Sequence, residues 1–329
     1  MDLKILNMFI LYSLVFIISC ISLYFSGNWL IDGLKRMGRF LRWREFIVAF
    51  FVMAFASSLP NLFVGISSAL HKVPQLSFGD VVGGNLVDLT LAVALAVLIG
   101  GNLIPTKGKI LERSALFTTF VAILPLLLIW DGVLGRGDGL ILLSVFVFYI
   151  LWLALNKERF KEFSGNGEKQ MPSILKEFKV FIKDLGLIIL SIIFLLLAAE
   201  GIVQSAKFFA VALNISLPII GILIVGLGNT LPEIRFAIAS AKAGKTEMIL
   251  GNLMGAVIIP ATLVLGTVAL ICPIIVPNFT PFAIARIFLI ISAIIFYIFT
   301  RSHRKITKKE AIILLLLYIT FVIVEILIK

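Results

Sequence analysis

Two carboxylates stand where so apolar a chain would be expected to carry none. Glu233 follows Pro232 in VGLGNTLPEIRF (225–236), and Asp88 lies in GDVVGGNLVDLTLAV (79–93). An acid inside a membrane span is costly and by default points to function. Other oxygen donors flank the prolines. Asn229 and Thr230 precede Pro232, and in the related stretch MAFASSLPNLF (53–63) Ser57, Ser58 and Asn61 surround Pro60. Proline removes a backbone donor and clashes with the carbonyl four residues earlier, so both helices are expected to open there. Freed carbonyls cannot face lipid unsatisfied. Those near Ala54 and Gly226, with the hydroxyls and amides beside them, are the oxygen ligands that hard cations take. One such proline reads as an ordinary kink; two at matching places with polar neighbours read as a cation site.

The elements that must hold these residues follow from composition. The 329 residues are 60% hydrophobic and 14% charged, against about half and a quarter in a soluble domain. Apolar runs of about 20 residues cross a bilayer. Ten are expected, at roughly 5–26, 46–70, 79–101, 112–130, 138–156, 184–209, 217–242, 247–271, 281–300 and 310–328. The first reads as a retained helix, since no small-residue cleavage site follows it. Cys20 and Cys272 fall inside apolar runs and read as packing residues; no Cys/His metal cluster is present. The stretch 157–183 separates two five-span halves, and SILKEFKVFIKDL (173–185) within it could form a short amphipathic surface helix. Glu200, Gln204, Glu325, Asn28 and Asp32 are expected near span ends, at the interface.

Sliding the chain on itself by 172 residues aligns residues 27–101 with the second half without a gap. Lys35 meets Lys207, Leu59-Pro60 meets Leu231-Pro232, Gly79 meets Gly251 and Gly83 meets Gly255. Five spans separate equivalent positions, so the two copies must be inverted in the membrane, as in secondary transporters whose sites lie where interrupted helices meet. Twenty-two of the 29 Lys and Arg fall in the joins on one side and five on the other. The basic side is cytoplasmic. That places the central loop inside and both termini outside, in a multi-pass protein of the cell membrane. The net charge of +11 is accounted for by these loops and does not imply nucleic acid.

The pair of segments resembles the two alpha-repeats of the sodium/calcium exchanger family, within the cation/calcium antiporters. The family pattern is roughly G-T/S-S-x-P-E followed by G-N-x-x-G-S-N. Here it reads SSLPN then GDVVGGN (alpha-1, 54–93) and NTLPE then GNLMGAV (alpha-2, 226–265). The resemblance implies an all-α membrane fold of ten helices in two inverted repeats (1–156 and 184–329), with helices 2 and 7 broken at proline. It also implies that residues after the two prolines ligate calcium. In this chain the second is Glu233 but the first is Asn61. One helix further on, the family's Asn and Asp are Asp88 and Pro260. The Ser of the G-S-N turn is Gly84 in one copy and Ala256 in the other.

The expected function is therefore exchange of a divalent cation, calcium first, for sodium or protons by alternating access. Asp88 and Glu233 would supply charge, and Asn61, Ser57, Ser58, Asn229 and Thr230 neutral oxygens, with carbonyls near Ala54 and Gly226. Spans 1 and 6 would slide across this core, and a monomer would suffice. No cofactor is implied beyond the transported ions. Two rivals keep the fold: a monovalent-cation transporter, and a scaffold that no longer exchanges. The latter would be favoured by Arg235 entering the site in place of a cation. At 3.6 residues per turn Arg235 lies about 200° from Glu233, which turns it away. An enzyme is not expected, since the loops hold no acidic or His cluster.

Overall fold

The computed structural model describes residues 3–40, 58–101, 103–106, 109–155, 174–244, 246–276, 280–302 and 305–327. These form helices α1 (Leu3–Phe40), α2 (Leu59–Leu70), α3 (Pro74–Gly100), α4 (Lys109–Leu128) and α5 (Arg136–Leu155) in the first half. The second half has α6 (Ile174–Ala212), α7 (Leu217–Lys242), α8 (247–271), α9 (Thr280–Arg301) and α10 (Lys308–Leu327). Among the described residues, eight are long and apolar enough to cross a membrane, α2 and α5 being the others. The expected span 46–70 is described from Ser58 onward; Ala54 and Ser57 lie outside the described residues.

Burial sorts the helices. In α3 and α8, 78% of the apolar window is buried, against 11% in α1. The two central helices are therefore enclosed by protein, while α1 turns Ile10, Leu14, Ile17, Ile21 and Phe25 outward, as a lipid-facing surface requires. The 38 residues of α1 reach about 57 Å at 1.5 Å per residue, well beyond the hydrocarbon core. Helix α6 is as long and packs along α1. Tyr12 stacks on Phe208 at 4.2 Å near one end, and Arg36 bonds Asp184 at 2.6 Å toward the other. The stretch 173–185 is thus not a separate surface helix. From Ile174 it continues into α6, where Asp184 gains the Arg36 partner that anchors it.

Equivalent elements recur 172 positions apart. Helices α5 and α10 begin at Arg136 and Lys308, and strands β2 (Val133–Leu134) and β4 (Lys305–Ile306) precede them. Strand β1 (Ile104–Pro105) pairs antiparallel with β4, and β2 with β3 (Ile274–Ile275). Helix α3 widens into a π turn at Asp88–Ala92 and α8 at Pro260–Val264. In each, a threonine hydroxyl bonds the carbonyl four residues back: Thr90 to Leu86, and Thr262 to Ile258 at 2.6 Å.

The expected break at Pro232 is displaced. Helix α7 runs without interruption from Gly226 to Lys242 with Pro232 inside it. The irregularity comes earlier, as a π turn over Gly221–Val225. Pro60 stands in the first turn of α2, where its missing N–H costs nothing.

Candidate functional site

The site forms where α3 crosses α7. Gly79 and Gly83, four apart, share one face of α3 by ordinary helical periodicity. Gly221 and Gly226 are five apart, and the π turn brings them onto one face, with the Gly226 N–H bonded to the Gly221 carbonyl. The backbones then touch. A Cβ on Gly83 would run into the Ile222 carbonyl and one on Gly79 into that of Pro218. A Cβ on Gly226 would lie 2.8 Å from the Gly84 nitrogen and 3.0 Å from the Asp80 carbonyl oxygen. Only glycine permits this approach.

One turn beyond Gly226, Asn229 meets α3. Its Nδ2 donates to both oxygens of Asp80, at 3.0 and 3.1 Å. Asp80 is 1% exposed, Asp88 2% and Glu233 8%, so three carboxyl groups are buried at this crossing. Glu233 Oε2 and Asp88 Oδ1 have no hydrogen-bond partner among the described residues, and no Lys, Arg or His there forms an ion pair with any of the three. Burying a charge without compensation costs several kcal/mol per ion, of order 3–5. Such groups are neutralised by bound protons or by cations brought from outside. Among the described residues no three His, Cys, Asp or Glu side chains converge on one point. Any one ion must complete its shell with neutral oxygens.

The other expected ligands are placed as follows. The Thr230 hydroxyl donates to the Gly226 carbonyl at 2.8 Å and reaches that of Leu227 at 3.1 Å. The Gly226 carbonyl is thereby engaged by the chain itself. Asn229 keeps its amide oxygen outside any hydrogen bond among the described residues. Ser58 is buried in the turn before α2, and Asn61 is half-buried in its first turn. A cavity of about 550 Å³ separates α1 from α7, with Asn229, Glu233 and Asn252 on one wall and Tyr24, Asn28 and Asp32 on the other. Asn28 and Asp32, expected near a span end, line this cavity. Arg235 turns away from the acids, donating to the Tyr24 hydroxyl with its guanidinium 5.5 Å from the ring centre.

The family model for the sodium/calcium exchanger protein matches residues 11–155 and again 183–327. The chain belongs to the sodium/calcium exchanger family. That makes it a multi-pass membrane transporter and not an enzyme. An uncharacterized membrane protein of Methanocaldococcus jannaschii is 30% identical over 92% of this chain and 94% of its own length. The sodium/calcium exchanger MaX1 of Methanosarcina acetivorans is 23% identical over 94% and 97%. Among solved structures, the sodium-calcium exchanger NCX_Mj soaked with Na+ and Sr2+ superposes with a TM-score of 0.62, 28% identical over 95% of this chain and 98% of that one.

Two features of this exchanger-family chain escaped sequence reasoning. Asp80 was passed over inside the glycine motif GDVVGGN. The signal was its alignment with Asn252 at the 172-residue offset, which made it an added charge in a buried span. The second is a polar cluster on the opposite flank. Glu200 of α6 accepts from Ser67 at 3.1 Å and Gln204 at 2.7 Å and lies 3.0 Å from His71. Neither Glu200 nor Gln204 is a bare interfacial group. Glu325, expected as an interfacial anchor, is 3% exposed, because α10 packs that face against α3 and α9.

Proposed function

We propose that this chain is a secondary antiporter exchanging a divalent cation, calcium first, for sodium or protons by alternating access. The observation that carries the reading is the pair of buried carboxylate oxygens on Asp88 and Glu233 that have no hydrogen-bond partner, and no basic residue paired to either, among the described residues. Oxygen-rich sites of this kind suit calcium. Asp88 and Glu233 supply the charge, and Asn229, Thr230, Ser58 and Asn61 supply neutral oxygens. Ser57 and the Ala54 carbonyl complete the set on the sequence argument alone.

The architecture we infer is ten membrane helices in two inverted five-helix repeats, with both termini outside and the central loop in the cytoplasm. The recurrence of elements at 172 residues supports it, as does the family model matching twice at that same offset. Helices α1 and α6, joined by Tyr12–Phe208 and Arg36–Asp184, form the unit that slides over the core. A monomer contains every residue named. The transported ions are the only inorganic partners required.

A monovalent-cation transporter is the second reading. It is favoured by Asn61 and Pro260 standing where the family has acids, and by the absence of a three-acid cluster among the described residues. The scaffold reading loses its main support, because Arg235 engages Tyr24 and not the acids. Purified chain in vesicles loaded with sodium, or made acidic inside, tests the proposal. Radioactive calcium uptake driven by either gradient is the expected result. Uptake driven by neither defeats it, and sodium or potassium counterflow without calcium would establish the second reading.

A further inference from the structure

We propose that Asp80 is a cation ligand, supplying from α3 the first-half carboxylate that position 61 lacks, and that Asn229 positions it. This rests on the exchange reading above and names a residue that reading does not use. Three observations carry it. Asp80 is 1% exposed and has Asn229 as its hydrogen-bond partner, a neutral amide that leaves the carboxylate charge uncompensated. An asparagine could still accept one bond from Asn229 through its amide oxygen, and asparagine is what stands at the equivalent position 252. The carboxylate therefore adds a charge that packing does not need, inside a span where charge is expensive.

The second observation is geometric. The Asp80 backbone is held between two glycines of α7: a Cβ on Gly221 would lie 2.9 Å from its nitrogen, and one on Gly226 3.0 Å from its carbonyl oxygen. Asp80 cannot withdraw from α7 without parting the two helices, so its carboxylate is fixed at the level of Asn229. Third, Glu233, one turn beyond Asn229, carries a buried oxygen with no hydrogen-bond partner among the described residues. Asp80 and Asp88 are eight residues apart, about 12 Å along a helix, so the acids form a file, Asp80, Glu233, Asp88, along the crossing. A cation moving along this file exchanges one carboxylate for the next. Asn229, which lines the cavity and has Nδ2 on Asp80, offers its amide oxygen as the neutral ligand at the Asp80 end.

The test uses purified full-length chain, with calcium chloride alone titrated calorimetrically and calcium uptake measured in vesicles. Asp80→Asn is expected to weaken calcium binding by about tenfold or more, since ligand charge count tunes affinity in oxygen sites. Adding Asn61→Glu to that variant returns a first-half carboxylate, and binding should recover to within about threefold of the parent. Asp80→Asn binding within about twofold of the parent overturns the proposal. Should that variant fail to fold, Asn229→Ala keeps the charge and removes its positioning donor. A shift of at least about threefold in the ratio of calcium to sodium affinity is then expected, and an unchanged ratio overturns the proposal. A parent chain that binds and carries neither ion refutes the exchange reading itself, which is distinct from an Asp80 variant that behaves like its parent.

Discussion

The two flanks of the core are built from equivalent positions and hold their long helices differently. On one flank α1 stands off from α7 across the cavity, joined to it by Arg235 and Tyr24. On the other, α6 is tied to α2 through Glu200, Gln204, Ser67 and His71, over an apolar seam that includes Val64, Leu195 and Ile202. At the 172-residue offset Glu200 corresponds to Asn28 and Gln204 to Asp32, both lining the cavity, while Arg235 corresponds to Phe63. Each flank therefore has its own polar device, mounted on opposite partners. Elements recur at the 172-residue offset, and under the alternating-access reading proposed above the side chains at matching places would decide which side is shut.

Charge is unequal in the same way: the acids at the crossing belong to α3 and α7, and α2 and α8 have Asn61 and Pro260 instead. The largest effect should come from erasing that inequality. Asp88→Asn combined with Glu233→Gln is expected to reduce exchange to the level of empty vesicles, because both negative charges that would hold a cation disappear. Asn61→Ala removes only a neutral oxygen and should lower calcium affinity by no more than about tenfold. Uptake surviving the double change would show that the ions travel elsewhere. Next in size is Gly83→Ala. Its new Cβ meets the Ile222 carbonyl, a backbone atom that cannot step aside, and overpacking of this kind costs about 1–3 kcal/mol. Thermal unfolding in detergent should show a lowered midpoint, and an unchanged one would deny the close crossing of α3 and α7.

Much of this was legible in sequence because hydropathy and glycine patterning act locally. The spans, the 172-residue offset and the acids Asp88 and Glu233 all follow from the chain read alone. Three features did not, each for a tertiary reason. The π turn before Gly226 is forced by the need to place Gly221 and Gly226 on one face against α3, and no local propensity marks it. Pro232 was credited with a break, but the helix carries it without interruption and the irregularity lies at that earlier turn. The contacts of Glu200 with His71 and Ser67 join residues more than 120 positions apart, which polarity at a span end cannot reveal. Asp80 was visible but was masked by the glycines around it.

The closed flank can be loosened separately. Glu200→Ala removes the acceptor shared by Ser67, Gln204 and His71. Half-exposed ion pairs contribute little, and with their hydrogen bonds about 1 kcal/mol is at stake, or about fivefold in the balance between open flanks. Cys20 lines the cavity on the other side, so its labelling by a membrane-impermeant thiol reagent reports that balance in a Cys272→Ser background. Opening the α6 flank should close the α1 flank, and Cys20 labelling should slow by about fivefold in Glu200→Ala. Unchanged labelling would mean that the cluster does not hold the flank shut.

The smallest effect distinguishes the two devices. Tyr24→Phe keeps the ring beneath the Arg235 guanidinium and deletes only the hydroxyl that accepts its hydrogen bond. The contact is exposed, so a loss of about 0.5 kcal/mol is expected, with about 0.5–1 kcal/mol of cation–π attraction remaining. If Arg235 and Tyr24 limit how far α1 swings from α7, Cys20 labelling should quicken by about twofold, opposite in sign to Glu200→Ala. Tyr24→Ala, which removes the ring as well, should quicken it further. A slowing in either Tyr24 variant would place both polar devices on the same side of the balance, and the two flanks would then act together instead of in opposition.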